Sequence, residues 1–178
     1  MKHKVFASCP KTNFISPTFT RMISQADIYT DGSCSPQTGQ GAWVAILLTD
    51  TEKITLSGKV PATTHHRMEL SAVIEGITYA LNNFKDIQSL HIYTDSQYVT
   101  GLIARQSKLS HANFLTKKGS PIPHADLVQQ LYLLTNQVQL IFTKVKAHQK
   151  PGTDINHNIS ADKLVRKIMR EELRRSSL

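Results

Sequence analysis

The apolar pattern of this chain switches period, and the order of the switches restricts its architecture. Asp27–Thr30, Gly41–Thr49 and Lys53–Val60 are β-prone runs, the first two separated by the turn-rich stretch DGSCSPQTGQ. Leu70, Val73, Ile74, Ile77, Leu81 and Phe84 then recur at i, i+3, i+4, i+7, i+11 and i+14, the spacing of one buried helical stripe. Leu90–Thr94 returns to strand and is followed by a short helix over Ser96–Ala104. Residues 105–124 are basic and loop-like, Leu127, Val128, Leu131 and Leu134 mark a further helix, and Gln139–Val145 is a fifth strand. After a polar loop, Lys146–Ile159, Ser160 can cap a last helix whose apolar face is Leu164, Val165, Ile168 and Leu173. Three strands, then helices alternating with two more strands, give an antiparallel meander continued by crossovers. The expected class is α/β with an α+β-like mixed sheet.

One domain of ordinary size fits 178 residues, and 40% hydrophobic with 19% charged residues excludes wholesale disorder. The longest apolar run, Ala42–Leu48, is far too short to span a bilayer, so no membrane association is expected. Two cysteines, Cys9 and Cys34, cannot make a disulfide scaffold and fit a reducing compartment. Residues 1–26 show no sustained period and are read as a disordered or non-native extension of a domain at 27–175. The location expected is cytoplasmic, or organellar if that acid-free stretch is a transit peptide. Met22 is an alternative start, which would remove Lys2, Lys4, Lys11 and Arg21 and leave a net charge of +4 instead of +8.

The basic excess is unevenly placed. Residues 27–104 hold eight acids against Lys53, Lys59, Arg67 and Lys85, whereas residues 105–118 hold Arg105, Lys108, Lys117 and Lys118 and no acid. Four of the acids stand where strands and helices begin or end: Asp31 after the first strand, Glu69 in the first turn of the main helix, Asp95 closing the fourth strand, and Asp162 in the first turn of the last helix. Each has a local explanation, as a turn residue, a cap or a partner for a helix dipole. Convergence argues for more, because strands one and four can lie side by side and bring Asp31 to Asp95. A carboxylate cluster in a low-dielectric cleft costs several kcal/mol unless a cation offsets it. Oxygen-only ligands suit Mg²⁺ or Mn²⁺, and two such ions about 4 Å apart serve in-line displacement at phosphorus. Basic residues would then hold a nucleic-acid backbone.

TDGS at 30–33, TTHHRMEL at 63–70, TDSQYV at 94–99, VKAH at 145–148 and ADKL at 161–164 resemble, in order and spacing, the five signature blocks of type 1 ribonuclease H. The resemblance covers about residues 27–173. It implies the ribonuclease H fold, a five-stranded mixed sheet in the order 3-2-1-4-5 with helices on both faces. It also implies endonucleolytic cleavage of the RNA strand of RNA–DNA hybrids by two-metal-ion catalysis, with Mg²⁺ (Mn²⁺ as the substitute), leaving 5′-phosphate and 3′-hydroxyl ends. Asp31, Glu69, Asp95 and Asp162 take the places of the metal-binding catalytic carboxylates, and His148 that of the proton-shuttling or product-release histidine. His157 is a rival in the same loop, which is longer than is usual in the family. Asn158 matches an asparagine near the substrate phosphate, Thr64 a phosphate-pocket threonine, and Gln97 and Cys34 residues that meet the minor groove or the DNA strand.

Two departures stand out. His65 and His66 replace paired asparagines that touch base edges, so altered rather than lost contacts are expected. Residues 105–124 are similar to the family's basic protrusion but carry only four Lys/Arg, among them Lys108, Lys117 and Lys118, and no tryptophan. Weaker or more salt-sensitive hybrid binding is expected. A monomer is expected. The competing readings are a ribonuclease H domain derived from a retroelement, and a non-catalytic binder of hybrids or duplex RNA. The binder would be free to lose a carboxylate, and all four are present.

Overall fold

The structure is a computed structural model that describes residues 21–146 and 157–175. Strands β1 (Gln25–Cys34), β2 (Gly41–Leu48), β3 (Lys53–Val60), β4 (Ser89–Thr94) and β5 (Gln139–Lys144) form one mixed sheet in the order 3-2-1-4-5. β1, β2 and β3 are an antiparallel meander, while β4 pairs in parallel with β1 on one side and β5 on the other. The helices among the described residues are α1 (His65–Asn83), α2 (Gln97–Ala104), α3 (Gln106–His111), α4 (Ala125–Thr135) and α5 (His157–Arg175).

Alternation along the strands sorts the two cores. Ile28 of β1 with Ala45 and Leu47 of β2 face α1, where Leu70, Val73, Ile74 and Ile77 are buried with α4's Val128 and Leu131. Ala42, Val44 and Ile46 of β2 face α5 and pack on Ala161, Val165 and Met169. α1 and α5 therefore sandwich the middle of the sheet, and each buried aliphatic side chain contributes roughly 1.5–3 kcal/mol. β3, at the sheet's edge, buries only alternate residues halfway.

Several boundaries differ from the sequence expectation. β1 begins at Gln25 and runs on through Asp31–Cys34, which pair with Gly41–Val44. Asp-Gly is thus in a strand, because ladder hydrogen bonds outweigh its turn preference. Arg21–Met22 pairs in parallel with Phe84–Lys85 beyond the end of α1. α1 starts at His65, with Thr64 as its N-cap, so Glu69 lies in the second turn rather than the first. α5 starts at His157, which moves Asp162 past the first turn and removes Ser160 as a cap. Residues 105–124 are not simply loop: they contain α3 and an isolated bridge between Leu115 and Pro121. No helix among the described residues is long and apolar enough to cross a membrane.

Candidate active site

Parallel pairing of β1 with β4 places Thr30 opposite Thr94, so Asp31 and Asp95 leave adjacent strands at one level. Asp31 shares its face of β1 with the residues that meet α5, and its register partner is Val44. α1 comes to the same point because Gly32 has no side chain: a Cβ there would lie 2.4 Å from both Glu69 N and Met68 C. That close approach sets Glu69 beside Asp31. Ala161 and Val165, seated on β2, bring Asp162 in from the opposite face. Asp31, Glu69, Asp95 and Asp162 thus line one cleft of about 250 Å³, together with His65 and Arg166.

The electrostatics of the cleft are those of crowded carboxylates. Burial, followed by the charges of Asp95 and Asp162, pushes the Asp31 carboxyl from an ordinary 3.8 up to about 7, against the stabilising Gly32 N–H, which donates to Asp31 Oδ1 at 2.8 Å. Glu69 is 8% exposed; its Oε1 lies 3.2 Å from His65 Nε2, and its Oε2 is buried with no hydrogen-bond partner. The hydrogen bond to Glu69 raises the pKa of His65. Arg166 Nε donates to Asp162 Oδ1 at 2.7 Å, an i,i+4 pair on α5. Asp95 is followed by Ser96, whose hydroxyl accepts from Val99 N and caps α2. The capping role open to Asp95 in the sequence therefore belongs to Ser96.

Around the cleft the expected substrate contacts are spread over one surface. Thr64 Oγ1 accepts from Arg67 N at 3.2 Å and stands 3.1 Å from His124 Nε2. His65 and His66 diverge: the first faces Glu69, the second stacks on Tyr98 with ring centroids 4.3 Å apart. Gln97 is exposed at the start of α2. Cys34 Sγ donates to Thr63 O at 3.2 Å, and burial raises its pKa. Asn158 is buried in the first turn of α5. Lys108 on α3, with Lys117 and Lys118 beyond it, is exposed and does not line the cleft. His148 lies outside the described residues. Its rival His157 does not line the cleft; its ring packs on Tyr29, 5.4 Å between centroids.

The sequence matches the ribonuclease H (RNase H) family over residues 24–170. The chain belongs to the ribonuclease H family. It is 34% identical to the ribonuclease H of Chlorobium phaeobacteroides over 80% of this chain and 94% of that protein. Against that of Moorella thermoacetica the identity is 34% over 81% and 91%, and against that of Caldicellulosiruptor saccharolyticus it is 36% over 84% and 99%. The chain is accordingly a ribonuclease H enzyme, with the family's mixed sheet.

The residues of this ribonuclease H fit a hard divalent cation by their chemistry. The donors are all carboxylate oxygens, one of them (Glu69 Oε2) is a buried acceptor without a partner, and Asp31 is raised by burial and then by its acidic neighbours. As they stand, no three His, Cys, Asp or Glu side chains among the described residues are grouped closely enough to hold an ion. Two of the acids instead face basic side chains of the chain itself, Glu69 the His65 imidazole and Asp162 the Arg166 guanidinium.

Sequence reasoning missed three participants. Arg166 was findable, since Arg four residues after Asp162 on a helix is an ion-pair spacing. His124 and Tyr98 gave no signal, because their contacts with Thr64 and His66 join distant parts of the chain. His124 adopts φ 57° just before α4, and burial, then the Arg67 cation, lowers its pKa.

Proposed function

We propose that this enzyme hydrolyses the RNA strand of RNA–DNA hybrids endonucleolytically, leaving 5′-phosphate and 3′-hydroxyl ends, with Asp31, Glu69, Asp95 and Asp162 as ligands of two Mg²⁺ ions. The observation that carries this reading is the convergence of four carboxylates from β1, α1, β4 and α5 on one cleft, where burial and then the charges of Asp95 and Asp162 raise Asp31 to about 7. When bound, Mg²⁺ or Mn²⁺ supplies the positive charge that activates water and offsets charge on the leaving 3′-oxygen. Asp31 within β1 and Asp95 just past the end of β4 would be joint ligands; Glu69 would turn its unpartnered Oε2 to the same centre; Asp162 would exchange Arg166 for it. His148 is assigned the proton transfer beside the leaving group.

Thr64, with His124 against it, would receive a backbone phosphate, and Gln97, Cys34 and His66 would lie along the minor groove and DNA strand. Asn158 would support the scissile phosphate, and Lys108, Lys117 and Lys118 would grip the DNA strand. Selectivity would come from contiguous 2′-hydroxyls, which DNA lacks, and from bending of the partner strand, which duplex RNA resists. We place the enzyme in the cytoplasm as a monomer.

The test is a panel of one sequence made as RNA–DNA hybrid, duplex RNA and duplex DNA, each end-labelled, incubated with Mg²⁺. RNA-strand cleavage confined to the hybrid, with 5′-phosphates on the products, is expected. Comparable cutting of duplex RNA would overturn the specificity.

A further inference from the structure

Below the carboxylate cleft, a stack of rings crosses the sheet and plays no part in the reaction just described. Tyr29 and Tyr93 are register partners on β1 and β4, and their rings lie 4.5 Å apart and 6° from parallel. On its other side Tyr93 stacks on His91 at 4.2 Å. The Tyr93 hydroxyl lies 3.0 Å from His91 Nδ1, and His91 Nε2 lies 2.7 Å from Thr143 Oγ1 on β5. One tautomer serves both: Nε2–H donates to Thr143 and Nδ1 accepts from Tyr93. Toward α5, the Tyr29 ring meets the ring of His157, the first residue of that helix. The stack therefore ties α5 to β1, β4 and β5.

Its position relative to the acids is systematic. Asp31 lies two residues beyond Tyr29 on the same face of β1, and Asp95 two residues beyond Tyr93 at the end of β4. Asp162 is five residues beyond His157 on α5. Ladder hydrogen bonds already hold β1 to β4, whereas α5 packs on β2 through the side chains of Ala161, Val165 and Met169. Its apolar contacts with β2 begin at Ala161, so the ring contact of His157 with Tyr29 braces the turn before them. Packing alone would not select these groups: His157 Nδ1 is buried without a partner, a cost that an aliphatic side chain would avoid.

We infer that the His157–Tyr29–Tyr93–His91 stack is a positioning element for the metal site. It fixes the first turn of α5 against β1 and β4, and thereby the spacing of Asp31, Asp95 and Asp162 toward a divalent cation. The inference rests on the reading that these carboxylates hold that cation.

The experiment is calorimetric titration of the full chain with Mn²⁺, without nucleic acid, alongside thermal unfolding. Tyr93→Phe and His157→Phe keep the rings and bind Mn²⁺ within about twofold of wild type. Tyr93→Leu and His157→Leu remove a ring and weaken binding about tenfold, the scale on which residues that orient metal ligands act. With metal saturating, KM for the hybrid stays at the wild-type value in all four. If Tyr93→Leu fails to fold, His157→Leu, at a helix end, carries the comparison. Leucine variants that bind Mn²⁺ like wild type and lose only melting temperature would overturn the positioning role alone. A wild-type protein whose Mn²⁺ binding is absent, or is unaffected by Asp31→Asn, would overturn the metal-site reading and this inference together.

Discussion

At Asp31, burial and two acidic neighbours act together, and the result is a pH dependence opposite to that of a salt-bridged aspartate. The folded protein holds this proton up to about 7, the unfolded chain only to about 3.8. Between those values the folded state binds more protons, so metal-free stability falls as pH rises from about 4 to about 7 and is level above. Asp31→Asn removes the penalty, and calorimetry of the metal-free proteins at pH 8 should find the variant more stable by roughly 1–4 kcal/mol. The adjacent Gly32 makes the opposite kind of contribution. Gly32→Ala forces a Cβ to within 2.4 Å of the α1 backbone. It should cost about 1–3 kcal/mol in denaturant unfolding, with activity falling further as Glu69 is driven from Asp31. The acids were legible in the sequence because each sits in a short block of distinctive residues. Arg166 and His124 were not singled out, and His124 could not have been, since its contact with Thr64 exists only after α1 and α4 have packed.

Among the elements, β3 was legible to the residue, because an edge strand with one half-buried face alternates cleanly. The short helix α2 was legible too, from its Ser96 cap to Ala104, but the starts of the two long helices were not. The apolar stripe read for α1 begins at Leu70, whereas the helix begins five residues earlier at His65, behind a Thr64 cap, in a mostly polar stretch without periodicity. α5 was misplaced for a related reason: the ring of His157 packs on Tyr29, so a polar residue is drawn into the helix by the sheet. α3 buries no residue, and a helix without a buried face leaves no pattern to read. The Thr64 cap yields a separable test. Thr64→Ala should lower stability by about 1 kcal/mol through the lost bond to Arg67 N and raise KM for the hybrid, whereas Thr64→Ser should preserve both. Equal KM for the alanine variant would remove Thr64 from the substrate surface.

Across the whole molecule, the net charge of +8 conceals a division of labour. The acids at residues 31, 69, 95 and 162 gather in one cleft, while Lys108, Lys117 and Lys118 stand exposed away from it. Replacing those three lysines by glutamine should weaken hybrid binding and flatten its dependence on salt by up to about three units in the log–log slope, leaving kcat at saturating hybrid unchanged. An unaltered slope would mean the segment does not touch the backbone. The central claim, that the carboxylate cleft is a cation-dependent hydrolytic centre, is tested most directly by the rate of RNA-strand cleavage as a function of Mg²⁺ for wild type and Asp31→Asn. The account predicts saturable activation of the wild type, no cleavage in chelator, and a variant slower by roughly two to three orders of magnitude at every Mg²⁺ concentration. Cleavage by the wild type in chelator, or an Asp31→Asn rate within tenfold of it, would contradict the account.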